Sequence, residues 1–129
     1  MKPLRRNWLF LKAVLTRKVP LYVQYAVTKR CNLSCRMCQT TASRRGEAEL
    51  ELPEIARLAE VVSAIGPGFV ILTGGEPMLR EDLAQIVRIF ARKGLPVRLQ
   101  TNAAIADPGR LEELMAAGLE EVTISLHSL

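Results

Sequence analysis

Long apolar runs, histidine and cysteine are all scarce in this chain of 129 residues. No run of about 18 apolar residues occurs, so the sequence contains no candidate transmembrane helix. Histidine occurs once, and the three cysteines fall in one short segment. An odd, clustered set of thiols cannot form a disulfide framework without a leftover cysteine, and it is typical of metal ligands in a reducing compartment. We therefore expect a cytoplasmic protein.

Acidic residues are absent from the first 18 positions, which hold six of the 18 lysines and arginines. The rest of the chain carries 12 basic and 13 acidic side chains, so the folded body is close to neutral. Because a nucleic-acid-binding domain usually carries its basic patch on the body, we predict no nucleic-acid partner. Lys12 interrupts the first apolar run and no small-residue cleavage site follows, which argues against a signal peptide.

Residues 1–19 predict a basic amphipathic helix. Its apolar residues recur at helical spacing and are Leu4, Trp8, Leu11 and Leu15. Two interpretations stay open for this helix. It covers one end of the core, or residues 1–18 make a peripheral contact with anionic lipid.

Strand and helix patterns alternate after Pro20, as expected for a single α/β domain over residues 20–129. Strands are predicted at 21–27, 69–73, 96–101 and 121–126. Helices are predicted at 53–65, at 80–93 and from Asp107-Pro108 to Gly118. This alternation predicts parallel pairing with right-handed crossovers, and hence an α/β sheet or barrel.

One face of the predicted strands is repeatedly polar, although parallel strands packed on both faces should be almost wholly apolar. This pattern favours a barrel whose inside is a wet or ligand-filled cavity. An antiparallel sheet with a solvent face also fits the alternation, but it does not account for the intervening helices. The candidate lining residues of the cavity are Gln24, Arg98, Gln100, Thr123 and His127.

The cysteines have the spacing Cys-x3-Cys-x2-Cys, at Cys31, Cys35 and Cys38, directly after the first strand. Structural zinc normally takes four ligands, so a zinc-binding interaction module would need His127 or a partner's side chain. An iron–sulfur cluster held by three thiolates would keep one iron open for a small molecule. An electron-transfer cluster would ordinarily use four cysteines.

A second motif, Thr73-Gly74-Gly75-Glu76-Pro77, follows the second strand. Two glycines let a backbone approach a ligand closely, and Glu76 can accept a hydrogen bond from an ammonium group. A plain strand-to-helix turn is the alternative. The position favours a site, because the cysteines, this turn, Thr101-Asn102 and Ser125 all follow the carboxyl ends of strands, where ligands bind in parallel barrels.

Together the two motifs, Cys-x3-Cys-x2-Cys and Gly-Gly-Glu-Pro at these strand ends, resemble the radical S-adenosylmethionine (radical SAM) superfamily over residues 20–129. The resemblance implies the first four strands and three helices of a partial (β/α) TIM-like barrel. It also implies that Cys31, Cys35 and Cys38 ligate a 4Fe–4S cluster, whose open iron binds S-adenosylmethionine (SAM).

The resemblance further implies a set of SAM-binding residues, namely Met37, Gly74, Gly75, Glu76, Asn102 and Ser125. Gly-Gly-Glu matches the turn that holds the methionine amino group. Asn102 and Ser125 lie where family members often contact the ribose or carboxylate. Met37 replaces the usual aromatic residue before the last cysteine, and Thr101-Asn102-Ala103 replaces the common Thr-Asn-Gly.

The activity implied by the resemblance is reductive cleavage of SAM. A reductant such as flavodoxin or ferredoxin supplies one electron to the cluster, and the resulting 5′-deoxyadenosyl radical abstracts hydrogen from a substrate. Two alternatives are a non-catalytic iron–sulfur electron-transfer protein and a zinc-binding interaction module. We also expect an incomplete enzyme, because no helix pattern follows the fourth strand to cover Val122, Ile124 and Leu126.

Overall fold

The computed structural model describes Trp8, Leu11, Leu15 and residues 19–36, 38 and 48–126. Trp8, Leu11 and Leu15 are helical, and each is more than half exposed. These three apolar side chains are therefore not part of the core. Leu4 and the basic residues of the first 18 positions, together with Met37 and His127, lie outside the described residues.

The described residues form four parallel strands in a single sheet of order β1-β2-β3-β4. The strands are β1 (Tyr22–Thr28), β2 (Phe69–Gly74), β3 (Val97–Thr101) and β4 (Leu119–Ile124). Each strand pairs with the next one in the chain, so all crossovers run in the same direction. Right-handed crossovers then place the helices on one face, whereas a doubly wound sheet would reverse its strand order. The predicted partial (β/α) barrel is confirmed.

Three α-helices connect the strands in the same part of the chain: α1 (Leu52–Ile65), α2 (Leu83–Arg92) and α3 (Pro108–Ala117). Local sequence sets their ends. A capping box of Glu51 and Glu54 begins α1, and the Asp107 side chain accepts a hydrogen bond from the Arg110 amide (3.0 Å) at the start of α3. No described helix is both long and apolar enough to cross a membrane.

Two predicted boundaries were wrong. The helix predicted at 80–93 begins at Leu83, because Pro77–Leu79 forms a short 3₁₀ turn and Arg80 is extended before the N-cap residue Asp82. The strand predicted at 121–126 is displaced toward the N-terminus. It begins at Leu119, directly after Gly118, because Leu119 is buried and pairs with Val97.

The core lies between the helices and one face of the sheet. Val70, Leu72, Val97 and Leu99 on the two central strands are fully buried there. The helices cover them with buried side chains that include Ile55, Ile86, Val87, Phe90 and Leu114. Burial of this single apolar face holds the helices on one side and leaves the polar face of the strands opposite them.

The lower part of the polar face is filled by protein side chains. The Arg98 guanidinium lies 3.9 Å from the centre of the Phe69 ring and forms an ion pair with Glu121 (3.3 Å). Phe69 in turn stacks on Tyr22, with ring centroids 5.4 Å apart. Arg98, a predicted cavity residue, is thus engaged in this stack.

The fourth strand and the chain just after it carry apolar side chains that the described residues cover only in part. Register pairs Val122 with Leu99 and Ile124 with Thr101, so both lie on the helix-packed face. Val122, Ile124 and Leu126 are nevertheless 37%, 54% and 89% exposed. The lack of cover expected for these three side chains is confirmed within the described residues.

Truncation of one apolar side chain on β3 and one of similar size on β4 should show that the two strands differ in their contribution to stability. Leu99→Ala should lower the free energy of unfolding by about 2–5 kcal/mol, because it opens a cavity in the core. Ile124→Ala should lower it by about 1 kcal/mol or less, since more than half of the side chain is already in water. Urea denaturation of both variants measures the difference, and equal losses would contradict this description of β4.

Candidate functional site

A cleft of about 200 Å³ opens at the carboxyl ends of the four strands. It is lined by Leu33, Cys35, Cys38, Thr73, Gly74, Gly75, Gln100, Thr101, Asn102 and Ser125. Six of the residues predicted from the motifs therefore meet around one space, although they come from four separate parts of the chain. Parallel strand order produces this result, because the carboxyl ends of all strands share one edge.

The cysteine segment, residues 29–48, contributes one wall of the cleft. Its three cysteines form no disulfide and are partly exposed. Cys35 and Cys38 line the cleft and are joined by a turn in which the Cys38 amide donates to the Cys35 carbonyl (3.0 Å). Cys31 accepts a hydrogen bond at Sγ from the Leu33 amide (3.4 Å). Among the described side chains, no three ligating residues converge closely enough to hold a single metal ion.

Gly74 and Gly75 contact the protein's own backbone. The Gly75 amide donates to the Thr28 carbonyl (2.9 Å), and the Glu76 amide donates to the Arg30 carbonyl (2.8 Å). A Cβ at Gly74 would overlap the carbonyl oxygen of Thr28, and one at Gly75 would overlap that of Arg30. The two glycines were expected to let a ligand approach the backbone closely. On one side of the turn, it is the chain leading into the cysteine segment that makes this close approach.

Glu76 is completely buried beneath the cleft. Its Oε1 accepts hydrogen bonds from the Thr101 hydroxyl (2.6 Å) and the Met78 amide (3.0 Å), and its Oε2 accepts from the Asn102 amide (2.8 Å). Both carboxylate oxygens are therefore used inside the protein. The carboxylate ties the glycine turn to the end of β3, a role that the sequence analysis did not predict.

Asn102 connects the end of β3 to the cysteine segment. Its Nδ2 donates to Asn32 Oδ1 (2.9 Å), and its Oδ1 accepts from the Ala104 amide (2.9 Å). The intervening Ala103 has φ of +59°, in the left-handed region that favours glycine. The alanine in Thr101-Asn102-Ala103 is consequently strained by about 1–2 kcal/mol.

Ser125 forms the cleft wall at the end of β4. Its amide donates to the Thr101 carbonyl (2.9 Å), and its hydroxyl accepts from Gln100 Nε2 (3.4 Å). Gln100 and Ser125 thus present neighbouring polar groups to the cleft. Of the predicted cavity residues that the structure describes, Gln100 lines the cleft, whereas Gln24, Arg98 and Thr123 do not.

Arg80 was not singled out in the sequence, yet its guanidinium is almost fully buried. It donates to the carbonyl oxygens of Val27 and Leu50 (both 3.0 Å) and forms two hydrogen bonds with Asp82 (2.8 and 2.7 Å). These contacts join β1, the chain after the cysteine segment and the start of α2. No local pattern could reveal the contacts with Val27 and Leu50, because both residues are distant from Arg80 in the sequence.

The sequence model of the radical SAM superfamily matches residues 25–129. The chain belongs to the radical SAM superfamily. The two motifs that carry the resemblance are those that meet at the cleft.

Similar proteins of known activity are much longer than this chain. GTP 3′,8-cyclase from Marinobacter nauticus is 40% identical over 111 residues, which cover 84% of this chain and 33% of that protein. PqqA peptide cyclase from Rhodopseudomonas palustris is 39% identical over 108 residues, which cover 83% and 29%. This chain spans about a third of the length of the curated relatives that it matches.

The fold is also similar to solved structures. The crystal structure of BtrN in complex with AdoMet and 2-DOIA matches with a TM-score of 0.75 and 24% sequence identity. The match covers 86% of this chain and 47% of BtrN. This likeness supports the partial-barrel fold described above.

Replacement of Glu76 by glutamine should be destabilising although the two side chains have nearly the same shape. Either orientation of the amide would point its NH₂ group at a backbone or hydroxyl donor. We expect a loss of about 1–3 kcal/mol in the free energy of unfolding. Glu112→Gln, on the exposed side of α3, is the control and should change stability little. Equal urea midpoints for both variants would contradict the conclusion that the Glu76 carboxylate ties the glycine turn to the end of β3.

Acid should weaken the contact between Arg80 and Asp82. The hydrogen bonds from Arg80 lower the pKa of the Asp82 carboxyl below its usual value. The contact therefore stabilises the fold fully above about pH 4, and this contribution is lost as the pH falls through the lowered pKa. At pH 7 the Asp82→Asn variant should be less stable than the wild type. On acidification to pH 3 its stability should fall by a smaller amount than that of the wild type. Urea midpoints at pH 7 and pH 3 test this, and parallel losses would contradict it.

Proposed function

We propose that this chain is the cluster-binding and SAM-binding part of a radical SAM enzyme, with Cys31, Cys35 and Cys38 as the ligands of a 4Fe–4S cluster. The observation that carries the proposal is the meeting of the cysteine segment, the glycine turn and the ends of β3 and β4 around one cleft. Family membership supports the same chemistry.

The donor set fits such a cluster. Three thiols stand on one segment and none is consumed by a disulfide. In a cluster each thiolate binds a different iron, so the sulfur atoms need not converge on a single metal ion. Three protein ligands leave one iron open to a small molecule. Lys29 and Arg36 on the same segment would offset part of the negative charge of the thiolates, whereas Arg30 is paired with Glu49.

We assign the methionine end of SAM to the turn at Gly74 and Gly75, which lines the cleft beside Cys35 and Cys38. Glu76 holds this turn from below and acts as a positioning residue, since its carboxylate already accepts three protein hydrogen bonds. Polar groups on the opposite wall, from Asn102 and Ser125, are suited to the ribose or carboxylate. The backbone of Met37 is proposed to contact the adenine.

A 4Fe–4S cluster bound at these cysteines would supply the one electron needed for reductive cleavage of SAM to methionine and a 5′-deoxyadenosyl radical able to take hydrogen from a substrate. The protein's residues orient SAM against the cysteine segment and exclude water from the cleft floor through the buried Thr101 and Glu76. A reductant such as flavodoxin or ferredoxin is the proposed electron source. The relatives named above act on GTP in one case and on the PqqA peptide in the other, so the proposal is confined to SAM cleavage.

The test is anaerobic reconstitution with iron and sulfide, followed by spectra of the reduced protein with and without SAM. We expect a SAM-dependent change in the cluster's paramagnetic resonance and release of 5′-deoxyadenosine. Cys35→Ala should lose both, because two thiolates do not hold the cluster. Ser34→Ala, which changes the neighbouring residue on the same exposed segment, should retain both.

Each alternative has its own outcome in this experiment. A stable cluster that ignores SAM would indicate an electron-transfer protein. A colourless zinc complex would indicate an interaction module. Production of 5′-deoxyadenosine by Cys35→Ala would show that the ligand assignment is wrong.

A further inference from the structure

One carboxylate connects the two ends of the cysteine segment. Glu49, the residue directly after the segment, accepts a hydrogen bond at Oε1 from the hydroxyl of Thr28, the last residue of β1. It also accepts two hydrogen bonds from Arg30, from Nε (2.8 Å) and Nη2 (3.2 Å). Arg30 immediately precedes Cys31. Glu49 therefore closes the segment, in the sense that it links the residue after the segment to the residue just before the first cysteine.

The entry to the segment is fixed to the sheet. Thr28 is buried, and its hydroxyl also accepts from the Arg30 amide (3.1 Å). The carbonyl groups of Thr28 and Arg30 accept hydrogen bonds from Gly75 and Glu76. The chain is therefore rigidly placed up to the residue before Cys31.

The exit from the segment is fixed by a different element. The Leu50 carbonyl accepts from the buried Arg80, which is itself held by two hydrogen bonds to Asp82. Glu49 Oε2 lies 4.0 Å from Arg80 Nη1. Arg80 also donates to the Val27 carbonyl and so joins the exit to β1, while Glu49 adds a link to Thr28 and Arg30, closer to Cys31.

Hydrogen bonds between charged groups are stronger than neutral ones, and those from Arg30 lower the pKa of the Glu49 carboxyl. A segment whose ends are already joined loses less conformational entropy when its thiolates are brought to fixed positions. Glu49 does not line the cleft, so it does not contact the proposed SAM site directly.

We infer that Glu49 is a positioning residue that closes the cysteine segment and thereby holds the cluster in place for SAM. The inference rests on the proposed function, because it assumes that the three cysteines hold a cluster. It adds a residue outside both sequence motifs to the machinery of the site.

The experiment compares wild type, Glu49→Ala and Glu49→Gln after reconstitution, at equal cluster loading. We expect iron release to a chelator to be roughly tenfold faster in Glu49→Ala and less accelerated in Glu49→Gln, which keeps an oxygen acceptor. The resonance spectrum of the reduced cluster with SAM should also change in Glu49→Ala. Glu60→Ala is the matched control, because it removes an exposed glutamate whose ion pair with Lys93 is remote from the segment.

A second measurement needs no cluster. Trypsin should cleave cluster-free Glu49→Ala after Arg36 faster than wild type, while thermal melting of Glu49→Gln stays close to wild type. Iron release and cleavage at wild-type rates in both variants would overturn the inference and leave the proposed function standing. Equal acceleration in Glu60→Ala would also overturn it. Failure of the wild type to take up a cluster would instead overturn the proposed function.

Discussion

A buried carboxylate joins the elements that form the cleft. Glu76 accepts hydrogen bonds from the Thr101 hydroxyl and the Asn102 amide on β3 and from the Met78 amide in its own turn. A buried carboxylate is tolerated only when its oxygens are satisfied, so this arrangement restricts how the turn and β3 can be placed. Backbone amides of this turn donate hydrogen bonds to the carbonyls of Thr28 and Arg30, which lead directly to Cys31. The position of the first cysteine thus depends on a residue that does not reach the cleft surface.

The sheet has two faces with different tasks. The helix-packed face supplies the apolar burial that stabilises the domain, with Val70, Leu72 and Leu99 at its centre. On the opposite face, the stack of Arg98 on Phe69 fills the lower part, and the upper part opens into the cleft beside Gln100. The proposed SAM site lies at this carboxyl edge.

Charged contacts reinforce the site from outside the cleft. Arg80 and Glu49 do not line the cleft, and they connect chain segments that are distant in the sequence. Arg80 donates to two backbone carbonyls and to the Asp82 carboxylate, and Glu49 accepts from the Arg30 guanidinium. Hydrogen bonds of this kind, with at least one charged partner, are stronger than neutral ones. The site is therefore supported by residues that neither motif contains.

Local patterns in the sequence were sufficient to infer the alternating strands and helices, the parallel sheet and the edge at which the motifs meet. Capping residues such as Asp107 and Gly118 act within a few residues of themselves, so their signals can be read without a structure. The start of α2 could not be inferred in this way, because the extended Arg80 is held by carbonyls of Val27 and Leu50. The partners of Glu76 and Glu49 likewise became known only from the tertiary structure. Register between strands brings Thr101 to Glu76, and the return of the chain after the cysteines brings Glu49 to Arg30. Side-chain partners of this kind depend on three-dimensional proximity, which no short sequence pattern encodes.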